Sequence, residues 1–195
     1  MKVILNLILI IFLSNRFANG QKIEKVVYDL KSQKIDTILV YRNYDNGAIQ
    51  APFDSTNCEI DNFEVYHIFY KKDNKITVQR IDNCFNYKPI ILNKFISFNA
   101  LESNISKFEV ETIKRVENVK RKFTHSFSKS HDNVEEINLY LNDKQITKSY
   151  PIYVMEMKKF NGIKNQNYNS NNRKITKKVV DECRGIIAKL DFQKI

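Results

Sequence analysis

Glycine is scarce in this chain, and so are the sequence patterns of common catalytic sites. The 195 residues include four glycines, which lie far apart at positions 20, 47, 162 and 185. A phosphate-binding loop needs several glycines close together, so a loop of that kind is excluded. No G-x-S-x-G nucleophile elbow and no H-E-x-x-H or C-x-x-C zinc pattern occurs. We therefore predict no catalytic residue, no metal and no cofactor.

Long apolar runs are absent beyond the N-terminus. There, Lys2 precedes the apolar run Val3–Leu13, and small residues occur close to and at Gly20. A basic start, a short apolar segment and small residues before the cleavage point form the pattern of a secretory signal peptide. We predict cleavage after Gly20 and export to the periplasm or out of the cell. No transmembrane segment is expected in the mature chain, because no later run approaches about 18 apolar residues.

Acidic residues are outnumbered, and the positive charge is unevenly distributed. The chain has 32 Lys and Arg against 22 Asp and Glu. Residues 158–195 hold ten of the basic residues and three of the acidic ones. Such a segment can attract anionic glycan or lipid, although a plain basic surface has the same composition. Because export is predicted, we expect no nucleic acid partner, and an anionic envelope component is the candidate partner.

Two runs rich in aromatic and β-branched residues, Phe63–Tyr70 and Ile76–Asp82, predict a β-hairpin. Between them, Asp73 and Asn74 tolerate the positive φ of a two-residue turn. Opposing residue numbers then add to 147, which gives the pairs Phe69–Val78, His67–Arg80 and Tyr66–Ile81. Both faces of this hairpin carry apolar residues, so a central position in a sheet is predicted.

Cysteines flank this hairpin, with Cys58 at its entrance and Cys84 at its exit. Export favours a disulfide between them over two free thiols, because oxidising compartments preserve disulfides. The bridge would close a loop of about 25 residues, worth roughly 3 kcal/mol. Cys183 would then remain as a buried thiol in the last helix. Three cysteines allow three pairings, so the other connectivities stay open.

The rest of the chain predicts helices and strands around this hairpin. The predicted elements are a helix at 22–33, a strand at 35–42, a loop at 43–57, a strand at 89–98, a helix at 101–108, a strand at 121–129, a hairpin at 136–150, a strand at 153–158, a polar connector at 161–172 and a helix at 173–190. Residues 109–121 fit a helix or a strand. A late asparagine of the connector is expected to cap the last helix.

This order predicts an α+β fold. We expect mainly antiparallel β-hairpins that form one sheet, with a short N-terminal helix and an amphipathic C-terminal helix. Residues 21–195 are predicted to form a single disulfide-stapled domain.

One local cluster of polar residues, His125, His131 and Asp132, suggests chemistry. A strand followed by a turn would bring both imidazoles near the carboxylate, which suits a metal or a weak acid–base pair. These residue types are also common in loops that have no such role. The structural interpretation is therefore favoured over the functional one.

Three segments follow the export signal in a distinctive layout. They are the helix QKIEKVVYDL, the strand IDTILVYR and the cysteine-flanked hairpin that ends in IDNCF. This layout resembles that of uncharacterised small exported proteins of low-GC Gram-negative bacteria. The resemblance covers most of the chain after residue 20 and implies a periplasmic or secreted location. It brings no activity and no site residue with it.

The sequence favours a non-enzymatic, exported accessory or binding protein that is associated with the envelope or secreted. Two alternatives stay open. One is a hydrolase-type enzyme whose site is assembled from scattered polar residues. The other is a binder of anionic glycan or lipid through the basic C-terminal part. A pocket with converging His and carboxylate groups would favour the enzyme, and a contiguous lysine surface would favour the anion binder.

Overall fold

The computed structural model describes residues 21–47, 65–82, 85, 87–120, 123–127, 132–160 and 162–195. The predicted signal peptide, most of the predicted loop 43–57, Cys58, Cys84 and His131 lie outside the described residues. Export and the Cys58–Cys84 bridge therefore stay predictions.

The described chain contains six helices and ten strands. The helices are α1 (Gln21–Ser32), α2 (Ile96–Ser103), α3 (Ile105–Val110), α4 (Ile152–Glu156), α5 (Tyr168–Asn172) and α6 (Ile175–Ile187). The strands are β1 (Thr37–Asp45), β2 (Tyr66–Lys72), β3 (Lys75–Ile81), β4 (Ile90–Leu92), β5 (Val116–Lys120), β6 (Phe123–Phe127), β7 (Asn133–Leu141), β8 (Lys144–Pro151), β9 (Lys159–Phe160) and β10 (Ile163–Lys164).

Six strands form one antiparallel sheet in the order β4-β3-β2-β1-β7-β8. Two short hairpins, β5-β6 and β9-β10, are not part of this sheet. The helix α1 begins the described chain, and α6 is its last helix. The predicted α+β class, with antiparallel hairpins between an N-terminal and a C-terminal helix, is therefore confirmed.

The predicted central hairpin is formed by β2 and β3. Asp73 and Asn74 have φ angles of 50° and 60°, as a primed two-residue turn requires. The strands pair in the predicted register, with opposing residues Phe69–Val78, His67–Arg80 and Tyr66–Ile81. Each strand also has a neighbour on its other side, so the predicted central position is confirmed.

The second predicted hairpin is formed by β7 and β8. Asn142, in the connecting turn, has a φ of 50°. The return strand ends at Pro151 and lies at the edge of the sheet, where a residue without an amide hydrogen is tolerated.

Helices cover both faces of the sheet. One face packs against α1 around Val27, Leu30, Ile38 and Ile68. The opposite face packs against α2, α3 and α6 in a larger core that includes Leu39, Phe69, Phe98, Leu101, Phe108, Val179 and Cys183. Each fully buried Val, Leu, Ile or Phe side chain contributes about 1.5–3 kcal/mol. Cys183 is a free, buried thiol, which confirms its predicted place in the core.

The prediction of a strand at 153–158 is wrong, because α4 occupies most of this segment. Tyr153, Val154 and Met155 are buried in succession, so the segment lacks the two-residue alternation of a half-buried strand. The amide of Tyr153 donates to Asp132 Oδ2 at 3.0 Å, which satisfies one of the free amides at the start of this helix.

The strand predicted at 89–98 is present but shorter, because β4 ends at Leu92 and a helix begins at Ile96. The predicted helix at 101–108 begins earlier and is divided into α2 and α3. The start of α2 is fixed by Glu182, whose carboxylate accepts the amides of Ile96 at 2.8 Å and Ser97 at 2.7 Å. This partner lies far along the chain, so local sequence patterns do not reveal it.

The polar segment 161–172 is more than a connector with little to bury. It contains β10 and α5, and both Asn165 and Asn171 are buried. The Asn171 side chain accepts the amide of Lys114 at 3.1 Å and donates to the carbonyl of Lys114 at 2.8 Å. Amide side chains here take the place of backbone partners and attach α5 to the chain before β5.

The expected asparagine cap of the last helix is replaced by a distant carboxylate. Glu111 accepts the amides of Ile175 and Thr176, each at 2.9 Å, and the Thr176 hydroxyl at 2.8 Å. A negative charge at this end also complements the helix dipole. The start of α6 is therefore fixed by the segment that follows α3.

Among the described residues, no helix combines the length and the apolar character needed to cross a membrane.

Candidate functional site

The sheet face under α6 carries a gradient of polarity along β1. Alternate residues of a strand share a face, so successive rows of side chains cross the sheet. In order of increasing polarity, these rows are Leu39 with Phe69 and Leu139, Tyr41 with His67 and Ile137, and Asn43 with Glu135 and Tyr150. The most polar row lies near the end of β1 and contains the buried carboxylate of Glu135.

Glu135 is completely buried and is the centre of a hydrogen-bonded cluster. Its Oε1 accepts Asn43 Nδ2 at 2.7 Å and Arg184 Nε at 2.7 Å. Arg184 Nη2 also donates to this oxygen, while Nη1 donates to Glu156 Oε1 at 2.6 Å. The arginine belongs to α6 and the glutamate to β7, so the cluster joins the last helix to the sheet.

Sequence reasoning missed Glu135, although a signal was present. Ile137 and Leu139 alternate toward the core in the predicted hairpin. Extending this alternation back by two residues places Glu135 on the same buried face. A buried carboxylate needs a cationic partner, and Arg184 on the apolar side of the last helix supplies it.

The tyrosines beside Glu135 retain their phenol protons and are not activated nucleophiles. Burial raises the pKa of Tyr41 and of Tyr150, and the negative charge of Glu135 raises both further. Both phenols therefore stay protonated at neutral pH. Tyr150 OH and Glu135 Oε2 are buried and have no hydrogen-bond partner among the described residues.

His67 is a packed, neutral ring. Burial lowers its pKa to about 4, and the nearby positive charge of Arg80 contributes to this shift. Its ring centroid lies 6.4 Å from that of Tyr41 and 5.4 Å from that of Phe192. None of the four described cavities is lined by His67, Glu135 or Arg184. The contacts of Glu135 to α6 and to the sheet stabilise the fold.

The predicted cluster of His125, His131 and Asp132 is described only in part. His125 lies in β6 opposite Asn118, and its side chain is outside the described part of the structure. Asp132 accepts the amide of Asn46 through its carbonyl at 3.2 Å and that of Tyr153 through its carboxylate. A site at these residues stays a prediction. Within the described ranges, no group of three His, Cys, Asp or Glu side chains is placed to hold a metal.

A cavity of about 540 Å³, which we call the lysine cavity, is the candidate functional site. It lies between β5, the β9-β10 hairpin and α5. Its lining residues are amides, cations and one phenol, namely Asn118, Lys158, Lys159, Lys164, Asn165, Gln166, Tyr168 and Asn169. Neither Asp nor Glu occurs among these residues.

The β9-β10 hairpin places two of the lysines together. Lys159 and Lys164 are directly opposed across the two strands, with Gly162 at a φ of +79° in the turn between them. Residues other than glycine rarely adopt this backbone conformation. The hairpin is held by Asn165, whose amide donates to the Lys158 carbonyl at 2.9 Å. The three lysines are therefore positioned by backbone contacts and not by ion pairs.

The surroundings leave the lysine cavity electropositive. None of its three lysines forms an ion pair with a carboxylate of the described residues. Lys158 Nζ lies 5.6 Å from the centre of the Tyr168 ring. The carboxylate of Glu117, in the same strand as Asn118, accepts Asn167 Nδ2 at 3.0 Å. The lining can attract an anion but provides no nucleophile with an adjacent base.

Sequence analysis found the charge of this region but not its arrangement. The excess of basic residues at 158–195 includes all three cavity lysines. The turn signal at Asn161-Gly162, with a lysine on each side, was available in the sequence. No protein-family model, curated protein or solved structure matches this chain. The candidate site accordingly depends on geometry and charge alone.

Proposed function

We propose that this chain is an exported, non-enzymatic binding protein whose lysine cavity binds an anionic group of an envelope component. The observation that carries the proposal is the direct opposition of Lys159 and Lys164 beside Lys158, without a lining carboxylate. Like charges placed directly opposite each other on two strands destabilise the pair, by roughly 0.2–1 kcal/mol. An anion between them would convert this repulsion into attraction.

The other lining residues support a ligand that also has hydroxyl groups or neutral oxygens. Gln166 and Asn169 have exposed side chains at the cavity. Amide side chains can donate to and accept from a sugar hydroxyl, whereas lysines bind a carboxylate, sulfate or phosphate. The group that all these possible ligands share is therefore an anionic oxygen group. Its source is either an acidic glycan or a lipid headgroup.

The hydrolase alternative has less support. Oε1 of the buried Glu135 is occupied by Arg184 and Asn43. The imidazole of His67 has a pKa of about 4 and lies among aromatic rings. A general base needs a pKa near the working pH, which the buried imidazole of His67 lacks.

The test compares two variants of the mature chain that carry the same change in charge. One combines Lys158→Gln, Lys159→Gln and Lys164→Gln. The control combines three exposed lysines outside the four described cavities, Lys25→Gln, Lys107→Gln and Lys189→Gln. Calorimetric titration with a heparin oligosaccharide, with inorganic phosphate and with phosphatidylglycerol vesicles separates the possible sources of the anion.

We expect the cavity variant to bind its anion about tenfold more weakly at low salt, equivalent to about 1.4 kcal/mol. The control should change binding by less than about threefold. Wild-type affinity should fall steeply toward physiological salt, because exposed charges are screened. Equal losses in the two variants would assign the binding to overall charge and contradict the site. Absence of binding to all three probes at low salt would contradict anion binding itself.

A further inference from the structure

A second basic surface lies at the β4 edge of the sheet and combines cations with exposed aliphatic side chains. We call it the β4 patch and define it by Ile91, Ile96, Lys71, Lys75 and Lys94. All five line one cavity of about 590 Å³. This cavity shares no lining residue with the lysine cavity. The β4 patch is therefore a separate surface from the lysine cavity.

The two isoleucines are exposed because of the elements that carry them. In β4, Ile90 and Leu92 pack against the larger core, so the alternation of the strand turns Ile91 outward. Ile96 is the first residue of α2, and its amide is held by Glu182. Their exposed fractions are 60% for Ile91 and 57% for Ile96. Single exposed aliphatic residues are common, but two at one cavity need an explanation.

The lysines make the surface around the two isoleucines positively charged. Neither Lys75 nor Lys94 forms an ion pair with a carboxylate of the described residues, and Lys71 Nζ lies 3.7 Å from Glu102 Oε2. No Asp or Glu is among the described residues that line the cavity. A partner that fits this surface must offer negative charge to the lysines and an apolar medium to the isoleucines.

We propose that the β4 patch docks onto an anionic lipid surface. Lysines are attracted to anionic headgroups, and aliphatic side chains gain free energy when they enter the boundary between headgroups and acyl chains. A soluble polyanion would use the lysines and leave the isoleucines in water. The combination of both groups at one sheet edge is what favours a lipid surface. The protein would lie on the membrane without crossing it.

The chain contains no tryptophan, so a single introduced tryptophan reports on its own environment. The experiment uses Ile91→Trp and, as a control, Val110→Trp, which replaces an exposed residue outside the four described cavities. Emission is recorded with phosphatidylcholine vesicles that contain or lack phosphatidylglycerol. We expect a blue shift for Ile91→Trp with anionic vesicles only, and no shift for Val110→Trp. Equal shifts at both positions, or none at either, would overturn the proposal.

Vesicle sedimentation then tests whether the isoleucines insert into the lipid surface. It uses the double variant Ile91→Ser/Ile96→Ser, which leaves the net charge of the protein unchanged. We expect about tenfold weaker partitioning into anionic vesicles, and a similar loss for Lys75→Gln/Lys94→Gln. Tyr28→Ser/Val110→Ser should partition like the wild type, and the lysine cavity variant should lose less than either variant of the β4 patch. Far-UV circular dichroism checks that each variant is folded.

Three outcomes would overturn the docking proposal. The first is wild-type partitioning of the isoleucine variant. The second is an equal loss in the lysine cavity variant, which would assign lipid binding to that cavity. The third is a blue shift of Ile91→Trp that appears on raising the protein concentration without vesicles, because it would show that a second copy of the chain covers the patch.

Discussion

Arg184 on α6 and Glu135 on β7 form a buried ion pair that joins the last helix to the sheet. Arg184 Nε lies 2.7 Å from Glu135 Oε1, and the same oxygen accepts Asn43 Nδ2. The glutamate side chain is 0% exposed and that of Arg184 is 31% exposed. Because the carboxylate has lost its hydration, its stability depends on these donors.

Replacing Arg184 should therefore lower the free energy of unfolding far more than replacing an exposed arginine. We expect Arg184→Met to lower the free energy of unfolding by about 3–5 kcal/mol, because it leaves a buried carboxylate without its cation. The control Arg173→Met, which changes an exposed arginine next to α6, should cost about 0.5 kcal/mol or less. Urea denaturation followed by circular dichroism gives both values.

A double variant tests whether the cost comes from the unpaired charge. Arg184→Met combined with Glu135→Leu should be more stable than Arg184→Met alone, since no charge then remains buried. If the double variant were less stable than the single one, packing of the arginine side chain would be the dominant contribution and the charge argument would be wrong.

His67 should make stability depend on pH in the acidic range. Its pKa in the folded protein is lowered to about 4 by burial and by Arg80. The unfolded chain, with a histidine pKa near 6.5, takes up a proton on acidification before the folded protein can. The contribution of His67 to stability is complete above about pH 6.5 and is lost as the pH falls toward 4, by at most about 1.4 kcal/mol per pH unit.

The variant His67→Gln isolates this effect. The difference in unfolding free energy between wild type and variant should be constant above pH 7 and should shrink between pH 6.5 and 4, in urea titrations at each pH. A difference that stays constant over the whole range would show that His67 has an ordinary pKa in the folded protein.

Glu111 should stabilise the start of α6 even though it lies in a distant segment. Its carboxylate accepts the amides of Ile175 and Thr176. We expect Glu111→Ala to cost about 2 kcal/mol, at the upper end of the range for helix caps, because the bonds are buried. Thermal and urea denaturation measure the loss.

Glu109 is a matched control two residues earlier in the chain. It forms an exposed ion pair with Lys144 at 2.5 Å. Glu109→Ala should cost about 1 kcal/mol or less, as is usual for surface pairs. Equal costs for the two alanine variants would mean that the cap contributes no more than a surface charge.

These long-range contacts explain which parts of the fold the sequence reveals. Turn chemistry at Asp73-Asn74 and a period of two predicted the β2-β3 register residue by residue, because both signals are local. The start of α6 is set by Glu111 and that of α2 by Glu182, which lie 64 to 86 residues from the amides they accept. A local pattern does not contain such partners.

The candidate site was predictable in charge but not in shape. The basic composition of residues 158–195 marks the region, yet the cavity depends on the β9-β10 pairing and on Asn165. Asparagine-rich segments usually indicate connectors, since their side chains have little to bury. Here Asn165 and Asn171 are buried as hydrogen-bonding partners of the backbone, a role that composition does not reveal.

Cys58 and Cys84 are expected to form a disulfide, while Cys183 stays reduced. Non-reducing peptide mapping of exported protein should link the two fragments around the hairpin. Cys183 is free and fully buried, and burial raises the pKa of its thiol, so alkylation should require unfolding. Replacing Cys58 and Cys84 with alanine should lower stability by about 2–4 kcal/mol. The control Cys183→Ala should cost about 1 kcal/mol, since it removes one small buried group. A bridge from Cys183 to either hairpin cysteine would contradict both its buried position and the predicted pairing.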